Sequence, residues 1–290
     1  MPRILIAGCG YVGQAAADLF YAAGWAVEGW TRSAKSAASL SAKSYFVRDV
    51  DISRPIQVAE CVRSVDAVIH CASSRGGDAK MYRRLYTDGA RNLIERFPRA
   101  KLLFTSSTSV YAQRDGSWVT EDTETKPTRE TARVLLESER LVLDRGGIVV
   151  RLAGIYGPGR SALLSKFLGG TAVVDPQNDR FVNQVHRDDI AAAIVLLVNQ
   201  EELGTQIFNV VDDQPLLQSE CYRWLAQRLN RPLPPIGASE QQRKRGDSNK
   251  RVSNAKLRRL GWTPRYPTFA DAMGESILPS FRQIIAGAFH

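Results

Sequence analysis

The run Ile4-Leu5-Ile6-Ala7-Gly8-Cys9-Gly10-Tyr11-Val12-Gly13-Gln14 carries a short apolar segment straight into GxGxxG and then into a helical pattern, with no basic P-loop residue nearby. A turn that brings its main chain against a pyrophosphate needs each glycine for its own reason. Gly8 permits the tight turn, Gly10 lets the backbone come close to the phosphates, and Gly13 lets the next helix pack on the strand. The first N–H groups of that helix lack intrahelical acceptors and face the anion. The surroundings fit. Ala15, Leu19, Phe20 and Ala23 form a helical stripe, Gly24 stands where a C-cap is expected, and Trp25 to Thr31 reads as a second strand. The candidate binding residues of this turn are Gly8, Gly10, Tyr11, Val12 and Gly13.

Strand-like runs recur at Ile4 to Ala7, Ala26 to Trp30, Ser44 to Val47, Ala67 to His70, Lys101 to Thr105 and Ile148 to Leu152, with helical stretches between most of them. The alternation predicts an α/β fold, a doubly wound parallel sheet of the Rossmann kind. Long helices are expected over Asp78 to Phe97, stopping before Pro98, and over Thr128 to Asp144, closed by Gly146-Gly147. After residue 152 glycine and proline thicken and the segments become short and mixed. The expected division is a dinucleotide-binding domain of residues 1–152 with roughly 182–211, and a smaller substrate-binding lobe of residues 153–181 and 212–290. The stretches Pro232 to Pro235 and Gln241 to Arg251 read as surface loops.

At 290 residues, 44% hydrophobic and 24% charged, the chain has ordinary globular composition. No apolar run reaches the roughly 18 residues of a membrane span, and the first segment is a strand rather than a signal peptide, so a cytoplasmic location without membrane association is expected. Cys9, Cys61, Cys71 and Cys221 are scattered, and the histidines are His70, His186 and His290 alone. Reduced thiols and no metal site follow. The net charge of +9 is spread singly except at Arg243-Lys244-Arg245 and Lys250-Arg251, and no nucleic-acid-binding motif accompanies it. That cluster reads as a solvated loop, with binding of an anionic substrate as the sharper alternative.

The end of the second strand selects the coenzyme. An NAD site places an acidic residue there for the ribose 2′-OH. Here Thr31 and Arg32 hold the place, and Glu28 falls about three residues early, inside the strand. An arginine can pair with a 2′-phosphate and stack on adenine, which favours NADP(H) over NAD(H).

Further segments carry a resemblance. Phe46-Val47-Arg48-Asp49-Val50 resembles a third-strand segment whose aspartate contacts adenine. Asp66 to Ala72 (DAVIHCA) resembles a fourth-strand DxVIHxA segment, and Phe104 to Tyr111 an SSxxVYG segment. Arg151 to Arg160 (RLAGIYGPGR), Val185 to Ile190 (VHRDDI) and Lys256 to Pro264 (KLRRLGWTP) continue the series in order. Together they resemble the extended short-chain dehydrogenase/reductase family, which includes nucleotide-sugar epimerases and dehydratases. The first glycine of that family's GxxGxxG is Ala7 here. The resemblance adds Asp49, Val50, Cys71 and Ala72 to the coenzyme residues Thr31 and Arg32.

That family moves hydride with a serine or threonine and a YxxxK pair. Ser107 matches the serine, but aligning the LExE end of the following helix puts Thr131 at the tyrosine and Leu135 at the lysine. A phenol beside an ammonium exchanges protons near neutral pH; an aliphatic hydroxyl and leucine do not. A rearranged set of Ser107, Tyr111 and Arg133 is the catalytic candidate, with packing of Tyr111 and phosphate or ribose binding by Arg133 as alternatives. Tyr156, Arg160 and His186 are the substrate candidates; Arg151 suits either an anionic substrate or a packing salt bridge. The expected activity is an NADP(H)-dependent, epimerase/dehydratase-like oxidoreductase acting on a polar or anionic small molecule, sugar-like or phosphorylated. A silent NADP(H)-binding sensor is the alternative, and nucleic acid is not an expected partner. By analogy with related folds alone, the two long helices would pair two copies in a homodimer.

Overall fold

Ile4, Leu5 and Ile6 are almost completely sealed from solvent, as are Val68, Ile69, Leu103, Phe104, Val149 and Val150. Strands that read as unbroken apolar runs are covered on both faces, the condition under which parallel sheets form. The structure, a computed structural model, describes residues 1–61, 64–74, 76–238 and 248–281. Seven strands make the central sheet: β1 (Arg3–Ala7), β2 (Ala26–Thr31), β3 (Phe46–Asp49), β4 (Ala67–His70), β5 (Lys101–Ser107), β6 (Ile148–Leu152) and β7 (Gln206–Val210), in the order β3-β2-β1-β4-β5-β6-β7. The pairs from β3 through β6 are parallel. Order reverses between β1 and β4, where Ala7 lies beside His70, so the loops leaving these strands emerge side by side.

The contact pattern divides the chain into two units. The first comprises residues 1–110, 125–152 and 190–208 and holds most of the sheet. The second comprises residues 111–124, 153–189 and 209–290. The division differs from the sequence expectation at residues 111–124, 182–189 and 209–211. Trp118–Val119 pairs with Arg251–Val252, which draws residues 111–124 into the second unit, and Gln184–His186 pairs with Gly154–Tyr156, which draws in residues 182–189. β7, absent from the expected strands, extends the sheet beyond β6.

The first unit is fastened by a buried ion pair. Glu139, on the helix Glu130–Leu143, accepts from Arg151 Nε at 3.1 and 3.2 Å and from Arg151 Nη2 at 2.7 Å, and Ser106 Oγ on β5 donates to the same carboxylate at 2.5 Å. Helix, β5 and β6 are thereby locked in one register, and Arg151 is a packing residue. Lys101 Nζ donates to the carbonyls of Val198 and Gln200, where the helix Arg187–Asn199 ends and its dipole is negative. Between the expected bounds of the earlier long helix, Ala79–Tyr82 and Gly89–Arg96 are joined by a wider π-type stretch, Arg83–Asp88.

The second unit packs Tyr156, Leu164, Phe167, Tyr222, Leu225, Phe269, Met273 and Ile277 around one apolar cluster. His186 is fully buried: its Nδ1 accepts from the Asp188 N–H at 3.2 Å, its Nε2 lies 3.0 Å from Ser276 Oγ, and its ring sits 4.2 Å from that of Tyr266. Burial pulls its pKa down to about 4, so it folds as neutral imidazole. Asp189 accepts the main-chain N–H groups of Arg265 at 2.6 Å and Tyr266 at 3.2 Å, and burial raises its pKa to about 6.

Two outcomes follow. Replacing Glu139 with alanine strands the Arg151 charge in the interior and should cost about 3–5 kcal/mol in a urea unfolding titration, whereas Glu139→Leu with Arg151→Met should cost far less; equal losses would deny the pair its role. His186 titrates lower in the folded state than unfolded, so its contribution is full above its ordinary pKa of 6.5 and is lost as pH falls toward 4. Asp189 acts oppositely, its contribution being lost as pH rises through about 6. The stability advantage of wild type over His186→Gln should therefore shrink by about 1–3 kcal/mol between pH 7 and pH 4.5; parallel stability curves would contradict it.

Candidate dinucleotide site

Trp30 O, on β2, accepts from both Gly8 N at 3.0 Å and Cys9 N at 2.7 Å, which ties the turn after β1 to the neighbouring strand. Gly8 holds φ +103°, and a Cβ there would lie 2.2 Å from Ala72 N. A Cβ on Gly13 would lie 2.3 Å from Gly8 O and 3.1 Å from Cys71 Sγ. Turn, helix and the loop after β4 thus touch through bare backbone, and Cys71 Sγ donates to Gly8 O at 3.3 Å. Gly10 is different. A Cβ there meets only Gly8 O, at 3.9 Å, so the protein leaves room in front of this residue.

The helix Tyr11–Ala22 begins in that room. Its N-cap is Gly10, with no side-chain cap and no acidic residue in the first turn, so its positive end is not neutralised by a cap or by its own side chains. The Gly10 N–H donates to Gly8 O at 2.7 Å, and the helix start that follows it, Tyr11 to Gly13, turns its main-chain N–H groups toward the carboxyl ends of β1 and β4. The backbone cradle fits a dinucleotide diphosphate.

At the end of β2, Thr31 is buried and its Oγ1 donates to the carbonyls of Ser33 at 3.3 Å and Arg48 at 3.4 Å. Arg32 is exposed and makes no ion pair among the described residues. Glu28 is engaged elsewhere, accepting from Trp30 Nε1 at 2.8 Å with Arg48 3.9 Å away. No carboxylate of β2 is thus left for a ribose. Asp49 is exposed at the end of β3, and Val50 is buried with its N–H donating to Thr31 O at 2.7 Å. Gly8, Gly10, Gly13, Cys71 and Ala72 share one patch; Thr31, Arg32, Asp49 and Val50 line the adjoining strand ends.

The catalytic candidates are placed differently. Ser107, at the end of β5, is half-buried and its Oγ accepts from the Ser109 N–H at 3.2 Å. Tyr111 is fully buried and its hydroxyl donates to Asn209 Oδ1 at 2.9 Å, a packing role in the second unit. Arg133 is exposed, with Nε donating to Pro127 O at 3.2 Å. On the same helix Thr131 is half-buried and Leu135 is buried. Cys71 and Cys9 are poor nucleophiles: burial raises both thiols, Cys9 to about 11.

The substrate candidates also separate. Tyr156 and His186 are sealed inside the second unit, where burial holds the Tyr156 phenol well above its usual pKa. Arg160 is exposed and closes a turn with Gly157 through mutual main-chain hydrogen bonds of 2.9 Å. Among the described residues no cluster suited to a metal ion occurs, and no helix is long and apolar enough to cross a membrane. The cysteines are free. Arg243-Lys244-Arg245 and His290 lie outside the described residues. Lys250, read in sequence as part of a surface loop, is instead 5% exposed. The strand pairing of Arg251–Val252 with Trp118–Val119 that surrounds it is non-local and leaves no local sign.

Comparison with known proteins agrees with this geometry. Protein YeeZ of Escherichia coli (strain K12) is 31% identical over 247 residues, covering 81% of this chain and 86% of that protein. A Methylobacillus flagellatus structure with a provisional NAD-dependent epimerase/dehydratase name is 30% identical, covers 97% of this chain and 99% of its own, and superposes with a TM-score of 0.80. The dTDP-glucose 4,6-dehydratase of Bacillus anthracis str. Ames, solved in complex with NAD, shares the fold at 16% identity, with 98% and 97% coverage and a TM-score of 0.83. The sequence model of the NAD dependent epimerase/dehydratase family matches residues 4–210. With its glycine turn, its sheet order and this match in agreement, the chain belongs to the NAD dependent epimerase/dehydratase family.

Proposed function

We propose that the protein binds NADP(H) and acts as an epimerase/dehydratase-like oxidoreductase on a polar small molecule, sugar-like or phosphorylated. The observation that carries this reading is the open space before Gly10 at an uncapped helix start, beside an exposed Arg32 and no available acid on β2. Main-chain N–H groups at the helix start after Gly10 hold the diphosphate, Gly10 leaves room for it, Arg32 pairs with the 2′-phosphate, and Asp49 and Val50 border the adenine. When bound, the nicotinamide supplies or accepts hydride. Ser107 is the hydroxyl left to orient a substrate oxygen, and its main-chain partner at Ser109 keeps its own proton available for donation. Tyr111, bonded to Asn209, stands outside that set.

A second reading has its own support. Leu135 replaces the charge that lowers the tyrosine pKa and holds the nicotinamide ribose in the family, which favours a protein that binds NADP(H) without turnover. Steady oxidation of NADPH or isomerisation of substrate across a panel of sugar nucleotides and small carbonyls is expected for the enzyme, with Ser107→Ala lowering the rate at least tenfold. Tight coenzyme binding with no turnover on any of them would favour the sensor.

Charge reversal at Arg32 separates the coenzymes. Loss of a charge-assisted pair of about 1.5–3 kcal/mol predicts that Arg32→Asp weakens NADPH about 10–100-fold while NADH changes little, read by quenching of protein fluorescence. Equal weakening of both would remove the 2′-phosphate role.

A further inference from the structure

The helix Gln218–Leu229 ends at Asn230, whose φ of +49° turns the chain outward, and the Arg231 N–H closes that end on Ala226 O at 3.0 Å. The chain then reads Arg231-Pro232-Leu233-Pro234-Pro235-Ile236-Gly237. Each proline locks its own φ and bars the residue before it from helical ψ, so this run is confined to extended, left-handed polyproline backbone. Its peptide bonds are all trans, and Pro232 to Pro235 enter no helix, turn or strand. The far end is pinned as well: Val174 N donates to Pro235 O and Gly237 N donates to Val174 O, each at 3.0 Å. The run is a short rod fastened to the second unit at both ends.

A polyproline helix repeats every three residues and so has three edges. Pro234 and Gly237 share one of them. Pro234 is half-buried, and a Cβ on Gly237 would lie 3.7 Å from Val173 Cγ1, so this edge faces the body of the unit. The other two edges, Pro232 with Pro235 and Leu233 with Ile236, face outward; Leu233 is 57% and Ile236 79% exposed. Among the described residues the carbonyls of Pro232, Leu233 and Pro234 accept no hydrogen bond. Arg228 and Arg231, exposed where the rod begins, make no ion pair among the described residues. An apolar ridge whose backbone is already ordered loses little conformational entropy when a partner covers it.

We propose that Arg231 to Gly237 is a docking rod for a partner protein domain whose groove is lined by aromatic rings and edged by carboxylates. Flat rings accept the two apolar ridges, tryptophan N–H or tyrosine O–H groups of such a groove donate to the open carbonyls, and its carboxylates face Arg228 and Arg231. The rod lies within the second unit, and the inference is independent of the coenzyme reading.

The test titrates the full chain in a calorimeter with two probes that carry grooves of this kind, an SH3 domain and a WW domain. Wild type should bind at least one of them, one domain per chain, in a complex that weakens as salt is raised. Leu233→Ala, Pro235→Ala and Arg231→Glu should each weaken it about tenfold or more while melting at the wild-type temperature. A synthetic peptide of residues 228–238 should displace the full chain from the domain, and this displacement decides if a variant does not fold. Binding by neither domain, or equal binding by wild type and Leu233→Ala, would overturn the proposal. So would self-association of wild type in sedimentation that Leu233→Ala abolishes, because a second copy would then be what covers the ridge.

Discussion

The site depends on backbone meeting backbone. Gly13 lies against Gly8 O and Gly8 against the start of the loop after β4, at distances where a single added carbon, at 2.3 or 2.2 Å, cannot be accommodated without moving main chain. This contact fixes where the first helix begins. The position of the helix then fixes where its unpaired N–H groups point, and the absence of a cap or an acid in the first turn leaves their charge for a ligand. The order of the sheet does the rest by placing β1 beside β4, so that two loops leave the same edge together.

The buried Glu139, Arg151 and Ser106 network joins a helix to two strands, and the same helix carries Thr131 and Leu135, the positions that the sequence resemblance aligns with the family's tyrosine and lysine. The anchoring carboxylate faces the sheet, and this packing requires neither a phenol nor an ammonium elsewhere on the helix. This separation is why belonging to the family carries the coenzyme fold further than it carries the reaction.

Most of the first unit was legible in the sequence because its signals are local. The glycine spacing, the apolar runs of β1, β4, β5 and β6 and the Gly146-Gly147 stop all act within a few residues. β7 escaped because Gln206 to Val210 mixes polar and apolar residues and follows the part of the chain where the pattern had changed. The second unit was much less legible. His186 and Tyr156 look like polar site residues in sequence, yet rings distant along the chain, Tyr266 and Phe269, seal them. Lys250 sits in a charged run that reads as solvated, yet its ammonium is buried on the carbonyl of Tyr111, far away along the chain. Tyr111 was read as a catalytic candidate from its spacing to Ser107; Asn209, almost a hundred positions away, gives its hydroxyl another partner.

Gly10 offers the most direct test, because its φ of −97° is open to any residue and a Cβ there meets nothing closer than 3.9 Å. Calorimetric titration of NADPH into wild type and Gly10→Val reads the open space itself. The prediction is one coenzyme bound per wild-type chain and none by a Gly10→Val protein that melts at the wild-type temperature. Equal binding by the two proteins would contradict the placement of the diphosphate at the start of the first helix.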